Sequence, residues 1–160
     1  MSKTTVASTG IDLSDTFAFT GTVSGAGKIG QVVTAVYDTT GATTSSSSFV
    51  AMGLSVAITP SATSSKILVQ VHGGSVYTAS DKNGHFTIYR DSTNLGNTTG
   101  FYAHFANQSY LQGGLSMIVL DSPSSSSSIT YAAYVKTTSG PVNFQGASTR
   151  TVITAMEVLA

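Results

Sequence analysis

Leu54-Ser55-Val56-Ala57-Ile58-Thr59-Pro60 is the stretch whose reading decides the fold class. In an extended chain Leu54, Val56 and Ile58 share one side, and Ser55, Ala57 and Thr59 share the other. Pro60 ends the run because it has no N–H to give a strand ladder. The same period of two recurs in both directions. Upstream, Val32, Thr34 and Val36 alternate with Val33, Ala35 and Tyr37. Downstream, strands are expected over Ile67–Val76, Phe86–Arg90, Tyr102–Asn107, Leu115–Leu120, Ile129–Lys136, Val142–Gln145 and Val152–Leu159. Turn chemistry separates them at Asp81-Lys82-Asn83-Gly84, Asp91-Ser92-Thr93-Asn94, Asp121-Ser122-Pro123 and Ser139-Gly140-Pro141. Nowhere does a 3.6-residue period take over. Eight or nine short strands spaced in this way predict an all-β antiparallel sandwich, with a jelly roll as its expected form.

Composition agrees. Only 9% of the 160 residues are charged, against roughly 25% in an ordinary soluble domain. Ser and Thr fill the spaces between apolar runs; they suit exposed strand faces and turns, and compete with the backbone inside helices. Seven basic and seven acidic residues give a net charge of zero, so there is no basic footprint for nucleic acid. Cysteine is absent, which removes disulfides and thiolate metal sites. No run approaches the roughly 18 apolar residues of a membrane span, and Met1-Ser2-Lys3-Thr4-Thr5 opens without the apolar core of a secretory signal. Synthesis in a cytosol, without membrane insertion, is the expectation.

Several strands are apolar on both sides. Ile67, Val69 and Val71 oppose Leu68; Val152, Met156 and Val158 oppose Ile153, Ala155 and Leu159. A free-standing antiparallel sandwich keeps one side of each sheet polar, so the second apolar set predicts a subunit interface, with Leu68, Ile153 and Leu159 in it. Closed cyclic assembly is the usual outcome.

Residues 1–29 read differently, as an extended arm with a glycine-rich joint ahead of a sandwich domain over residues 30–160. Ile11, Leu13, Phe17 and Phe19 are isolated apolar anchors among polar residues and glycines, too few for a core of their own. Such an arm gains its order by packing on a neighbouring subunit or a larger assembly.

The chemistry-bearing residues form no legible catalytic pattern. Gly25-Ala26-Gly27-Lys28-Ile29-Gly30 matches G-x-G-x-x-G, but no strand precedes it, no helix follows, and no acid stands near position 50. His72, His85 and His104 lie on or beside separate strands without ligand spacing. The aspartates sit mostly in turns or in the arm, and no serine lies in a nucleophile elbow. No catalytic residue, metal or cofactor is therefore assigned. Aromatic side chains leave one opening. Tyr77, Phe101, Tyr102 and Tyr110, near glycine- and asparagine-rich stretches, suit stacking on sugar rings beside hydroxyl-bonding Asn and Ser, so glycan contact is expected there.

One series of short motifs goes further. Leu54-Ser55-Val56-Ala57-Ile58-Thr59-Pro60 is followed by Ser64-Ser65-Lys66-Ile67-Leu68-Val69, then Ile88-Tyr89-Arg90-Asp91-Ser92, Leu120-Asp121-Ser122-Pro123 and Thr154-Ala155-Met156-Glu157-Val158. In this order they resemble the C-terminal domain of tail-fibre-like and virion structural proteins of marine and cyanobacterial phages, across roughly residues 30–160. The resemblance implies a small trimeric jelly roll located in the virion, assembled in the host bacterial cytoplasm and free of cofactors. Its partners would be other virion proteins, reached through residues 1–29, and host surface polysaccharide. A short arm in place of a long shaft suits a capsid decoration protein as well as a tail fibre, and the residues leave both open.

Overall fold

A computed structural model describes residues 28–38, 42–79, 81–106, 111–144 and 149–159. Eleven strands run through them: β1 (Lys28–Tyr37), β2 (Ala42–Thr44), β3 (Val50–Ile58), β4 (Lys66–Thr78), β5 (Asn83–Arg90), β6 (Thr93–Asn94), β7 (Tyr102–Phe105), β8 (Leu111–Asp121), β9 (Ile129–Lys136), β10 (Val142–Phe144) and β11 (Thr151–Leu159). All nine expected strands are present, and β9 has the expected bounds. β2 and β6 are additional; they are three and two residues long, with too few alternating positions to show a period. β1 starts at Lys28, so its first two residues fall within the stretch read as joint.

The strands form two antiparallel sheets packed face to face, an all-β sandwich. One sheet runs β1-β11-β4-β10-β2, and β8 lies along the opposite edge of β4 from β11. The other runs β3-β9-β5-β6, with β7 also on β5. Pairing is nested: β1 with β11, β3 with β9, β4 with β8, β5 with β7. The period of two does the rest. Leu54, Val56 and Ile58 of β3, Ile67, Val69 and Val71 of β4, Phe86 and Ile88 of β5, Tyr131, Ala133 and Val135 of β9, and Ile153 and Ala155 of β11 meet in one core.

A register shift and a close backbone approach, each at a glycine, help decide which side chains reach the surface. In β4 the pairing with β8 shifts between Gly73 and Val76, so Ile67, Val69 and Val71 face inward before the shift and Val76 and Thr78 after it. Gly73 allows this with φ 98 and a backbone so close to Arg150 that a Cβ would sit 2.6 Å from its carbonyl oxygen. Gly100, at φ +86, brings the 91–101 loop against Phe86, where a Cβ would lie 2.3 Å from the carbonyl oxygen.

Two buried carboxylates tie the layers together. Asp121, at the end of β8, accepts 3.0 Å hydrogen bonds on both oxygens from Arg90 Nη1 and a 2.7 Å bond on Oδ2 from the Tyr131 hydroxyl. Strand β8 of one sheet is thereby fastened to β5 and β9 of the other. Burial, then its bond to Asp121, pushes the Tyr131 phenol far above its ordinary pKa. Glu157 of β11 is 1% exposed. Its Oε1 accepts the Ser61 N–H at 2.7 Å and hydroxyl at 2.6 Å, and its Oε2 accepts Gln31 Nε2 at 2.8 Å. Burial alone would raise its pKa; the Ser61 and Gln31 donors outweigh that and hold it down at about 2.

A carboxylate with a depressed folded pKa stabilises the fold above its unfolded pKa and loses that contribution as pH falls through the folded one. Unfolding free energy should therefore drop between about pH 4.5 and 2 by on the order of 3 kcal/mol through Glu157, and Glu157→Gln should flatten that slope in urea titrations run across the window. Tyr131→Phe leaves Asp121 short of one donor and should cost about 2 kcal/mol in the same measurement at neutral pH.

Candidate functional site

The outer faces of the two sheets are unlike, and the difference locates the candidate site. On the six-stranded sheet the outward side chains line up in cross-strand rows. Val32, Met156, Leu68 and Leu120 form one row across β1, β11, β4 and β8. Thr34, Thr154, Gln70 and Ile118 form the next, and Val36, Val152, His72 and Ser116 a third. Ile29 and Val158 extend the face toward the start of β1. Ile29, Val32, Val36, Ile118 and Leu120 are each more than half exposed, at 51 to 56%. No charge stands in these three rows; Lys66, paired with Val158, marks the rim. Between β4 and β8 the face dips into a notch lined by Gln70, His72, Ser116 and Ile118. Isolated exposed apolar residues are ordinary, but a contiguous uncharged sheet face marks an interaction surface.

The five-stranded sheet covers its own outer face. The 91–101 loop lies over β5, where the buried Thr87 hydroxyl donates to Asn94 Oδ1 at 2.6 Å and Lys136 Nζ donates to the Thr98 carbonyl. Beside it the Tyr89 and Tyr134 rings stack at 4.0 Å, Phe49 meets Tyr89 edge-on at 6.2 Å, and the Lys136 ammonium sits 4.6 Å above the Phe49 ring. Toward β3 the outward residues are small: Ala51, Ser55 and Ala57. Nothing in the sequence marks this aromatic cluster. Its members lie on two strands and a loop, and only the β5–β9 register, Thr87 opposite Tyr134, brings Tyr89 and Tyr134 side by side.

The residues expected at a subunit interface separate. Leu68 faces outward in the apolar row Val32, Met156, Leu68 and Leu120. Ile153 does not: it is fully buried in the sandwich core and cannot reach another subunit. Leu159 is on Ile153's side of β11 and packs beside Gly30, where a Cβ would meet its Cδ2 at 2.9 Å. The outward residues of β11 are instead Val152, Met156 and Val158. The physical reason is Glu157. A lone glutamate argues for a solvent-facing side, whereas here its carboxylate is satisfied inside and carries Ile153 and Ala155 inward with it.

The expected glycan-contact residues are also divided. Tyr77 is half-buried on the outer side of β4 beyond the Gly73 shift, opposite Gln112 and Asn143. Phe101 is 39% exposed, and its N–H donates to the Phe86 carbonyl. Tyr102 packs on the core, its ring 5.9 Å from Phe86 and its hydroxyl 3.4 Å from His104 Nδ1. It is a wall of the core more than a platform. Tyr110, and the arm residues Ile11, Leu13, Phe17 and Phe19, lie outside the described residues.

The three histidines stay apart. His72 is exposed on the apolar face, His104 is buried with Nε2 3.2 Å from the Leu111 carbonyl oxygen, and His85 is buried under the 91–101 loop. Burial, then the Lys136 charge, holds the His85 pKa below its ordinary value. Among the described residues no three His, Asp or Glu side chains are grouped to hold a metal ion, and no helix is long and apolar enough to cross a membrane.

No family model and no curated protein matches this chain. The geometry therefore carries the functional reading, and its most distinctive feature is the uncharged face centred on Leu68 and Met156.

The assignment of faces has a direct check. With the protein dilute enough to be monomeric, Ile153→Ala should cost about 3 kcal/mol of unfolding free energy, as core truncations do. Leu68→Ala should cost less than about 1 kcal/mol. Equal losses would mean the faces of the sheet are assigned wrongly.

Proposed function

We propose that this chain is a structural module of a bacteriophage particle, a trimeric tail appendage that works by association and display instead of by catalysis. The carrying observation is the uncharged outer face of the six-stranded sheet, crossed by the apolar row Val32, Met156, Leu68 and Leu120. Leaving such a face wet would cost roughly 25 cal/mol for each Å² of apolar surface, and burial against other copies recovers it. A cysteine-free sandwich with a net charge of zero and only 9% charged residues is suited to close-packed assembly. The nested pairing of β1 with β11, β3 with β9, β4 with β8 and β5 with β7 supports a jelly-roll reading of the sandwich, with β2, β6 and β10 as additions.

In this reading the five-stranded sheet and its loops face outward, toward host surface polysaccharide. Phe101 and the Phe49–Tyr89–Tyr134 cluster, with the Lys136 ammonium over the Phe49 ring, offer the aromatic surface. Other virion proteins would be reached through residues 1–29, and the finished module would reside in the virion after assembly in the host cytoplasm.

Leu68→Lys places an ammonium within the apolar row Val32, Met156, Leu68 and Leu120. Size-exclusion chromatography should show the assembly reduced to monomers, because burying an unpaired charge costs several kcal/mol per subunit. An unchanged particle would overturn the interface. Gold-labelled antibody against the chain should decorate the tails of purified phage; label confined to capsids would move the module to the head, and unlabelled particles would remove it from the virion.

A further inference from the structure

The apolar face poses a quantitative problem that points to its occupant. It spans the three gaps between β1, β11, β4 and β8, and the seven residue-to-residue steps along β1 from Ile29 to Val36. At strand dimensions this is roughly 14 Å by 23 Å, a footprint of about 300 Å². Stable association needs about 800 Å² from each partner. One flat face laid on another therefore falls short, and something must add apolar surface.

The sequence that precedes β1 has the chemistry required. Ile11 and Leu13, and again Phe17 and Phe19, are apolar pairs spaced by two, the spacing that puts both members of a pair on one side of an extended segment. Asp12 and Asp15 lie beside the first pair, but from Thr16 to Gly27 there is no charged residue, so it is the Phe17 and Phe19 pair that matches a face with no charge in its three rows. The point of departure fits as well. Lys28 pairs with Leu159 at the end of the face where Ile29 and Val158 lie. The nine residues from Phe19 to Lys28 reach about 30 Å when extended, twice the width of the sheet face.

We infer that residues 16–20 of one copy lie across the outer face of the six-stranded sheet of the next copy, with Phe17 and Phe19 over the row Val32, Met156, Leu68 and Leu120. This rests on the trimeric reading and names what fills its interface. Each copy gives an arm and receives one. The contact is head-to-tail and closes by a threefold rotation, so that every face is covered while the residues ahead of Thr16 are left for other virion proteins.

The chain contains no cysteine, so introduced thiols report without background. Full-length Phe17→Cys and Leu120→Cys chains, one of them enlarged by a tag, are mixed, refolded together and treated with a short bis-maleimide. A band containing one chain of each kind is expected on a denaturing gel, and its absence overturns the inference. The double variant carrying both substitutions should also link chain to chain; closure within single chains alone would overturn the exchange. The two readings fail separately. If Leu68→Lys dissociates the particle and the mixed band never forms, assembly through the face stands and the placement of the arm falls.

Discussion

Glu157 fixes which way the last strand faces, and most of the molecule's outward character depends on that. Both sides of β11 are apolar enough to be core. A strand with two acceptable faces is prone to slip by one residue, since each slip exchanges its faces. The carboxylate breaks the tie, because only one register delivers it to the Ser61 N–H and hydroxyl and to Gln31. Gln31 belongs to β1 and Ser61 to the connection between β3 and β4, so the same few bonds set β11 against β1 and close one end of the sandwich. Turned the other way, Met156 and Val158 would be core, and an unpaired carboxylate would sit on the outside at no cost. The native choice buries the charge and leaves methionine and valine outside.

That arrangement also explains where the sequence was legible. Alternation is local, so strands such as Ile129–Lys136 and the inward set Ile67, Val69 and Val71 could be read directly. Which face of a doubly apolar strand points inward is not local. It depends on partners nearly a hundred residues away, as with Ser61 and Glu157. Leu68 faces outward because its strand has a majority inward face in Ile67, Val69 and Val71; β11 has no majority face, so its alternation alone does not say that Ile153 points inward. Asp121 is a similar case. It reads as a turn residue before Ser122-Pro123, while its carboxylate is held by Arg90 and Tyr131.

The aromatic residues show the same limit from another side. Proximity in sequence suggested that Tyr77, Phe101 and Tyr102 act together, yet the Gly73 shift turns Tyr77 outward on one sheet while Tyr102 is packed on the core beside the other. The cluster that does form joins Phe49, Tyr89 and Tyr134 from distant segments. Cross-strand register created it, and a single sequence does not print register.

The Arg90–Asp121–Tyr131 linkage has a mechanical meaning. Strand β8 is an outer strand of its sheet, held along one side by β4 alone. Such a strand would peel away rung by rung if tension were applied at its end. Asp121 stands at that end and is clasped from the opposite sheet by β5 and β9. A pull on the connection after β8 must therefore break the clasp before the first rung can open, which changes the response from an unzipping into a shear shared by three strands.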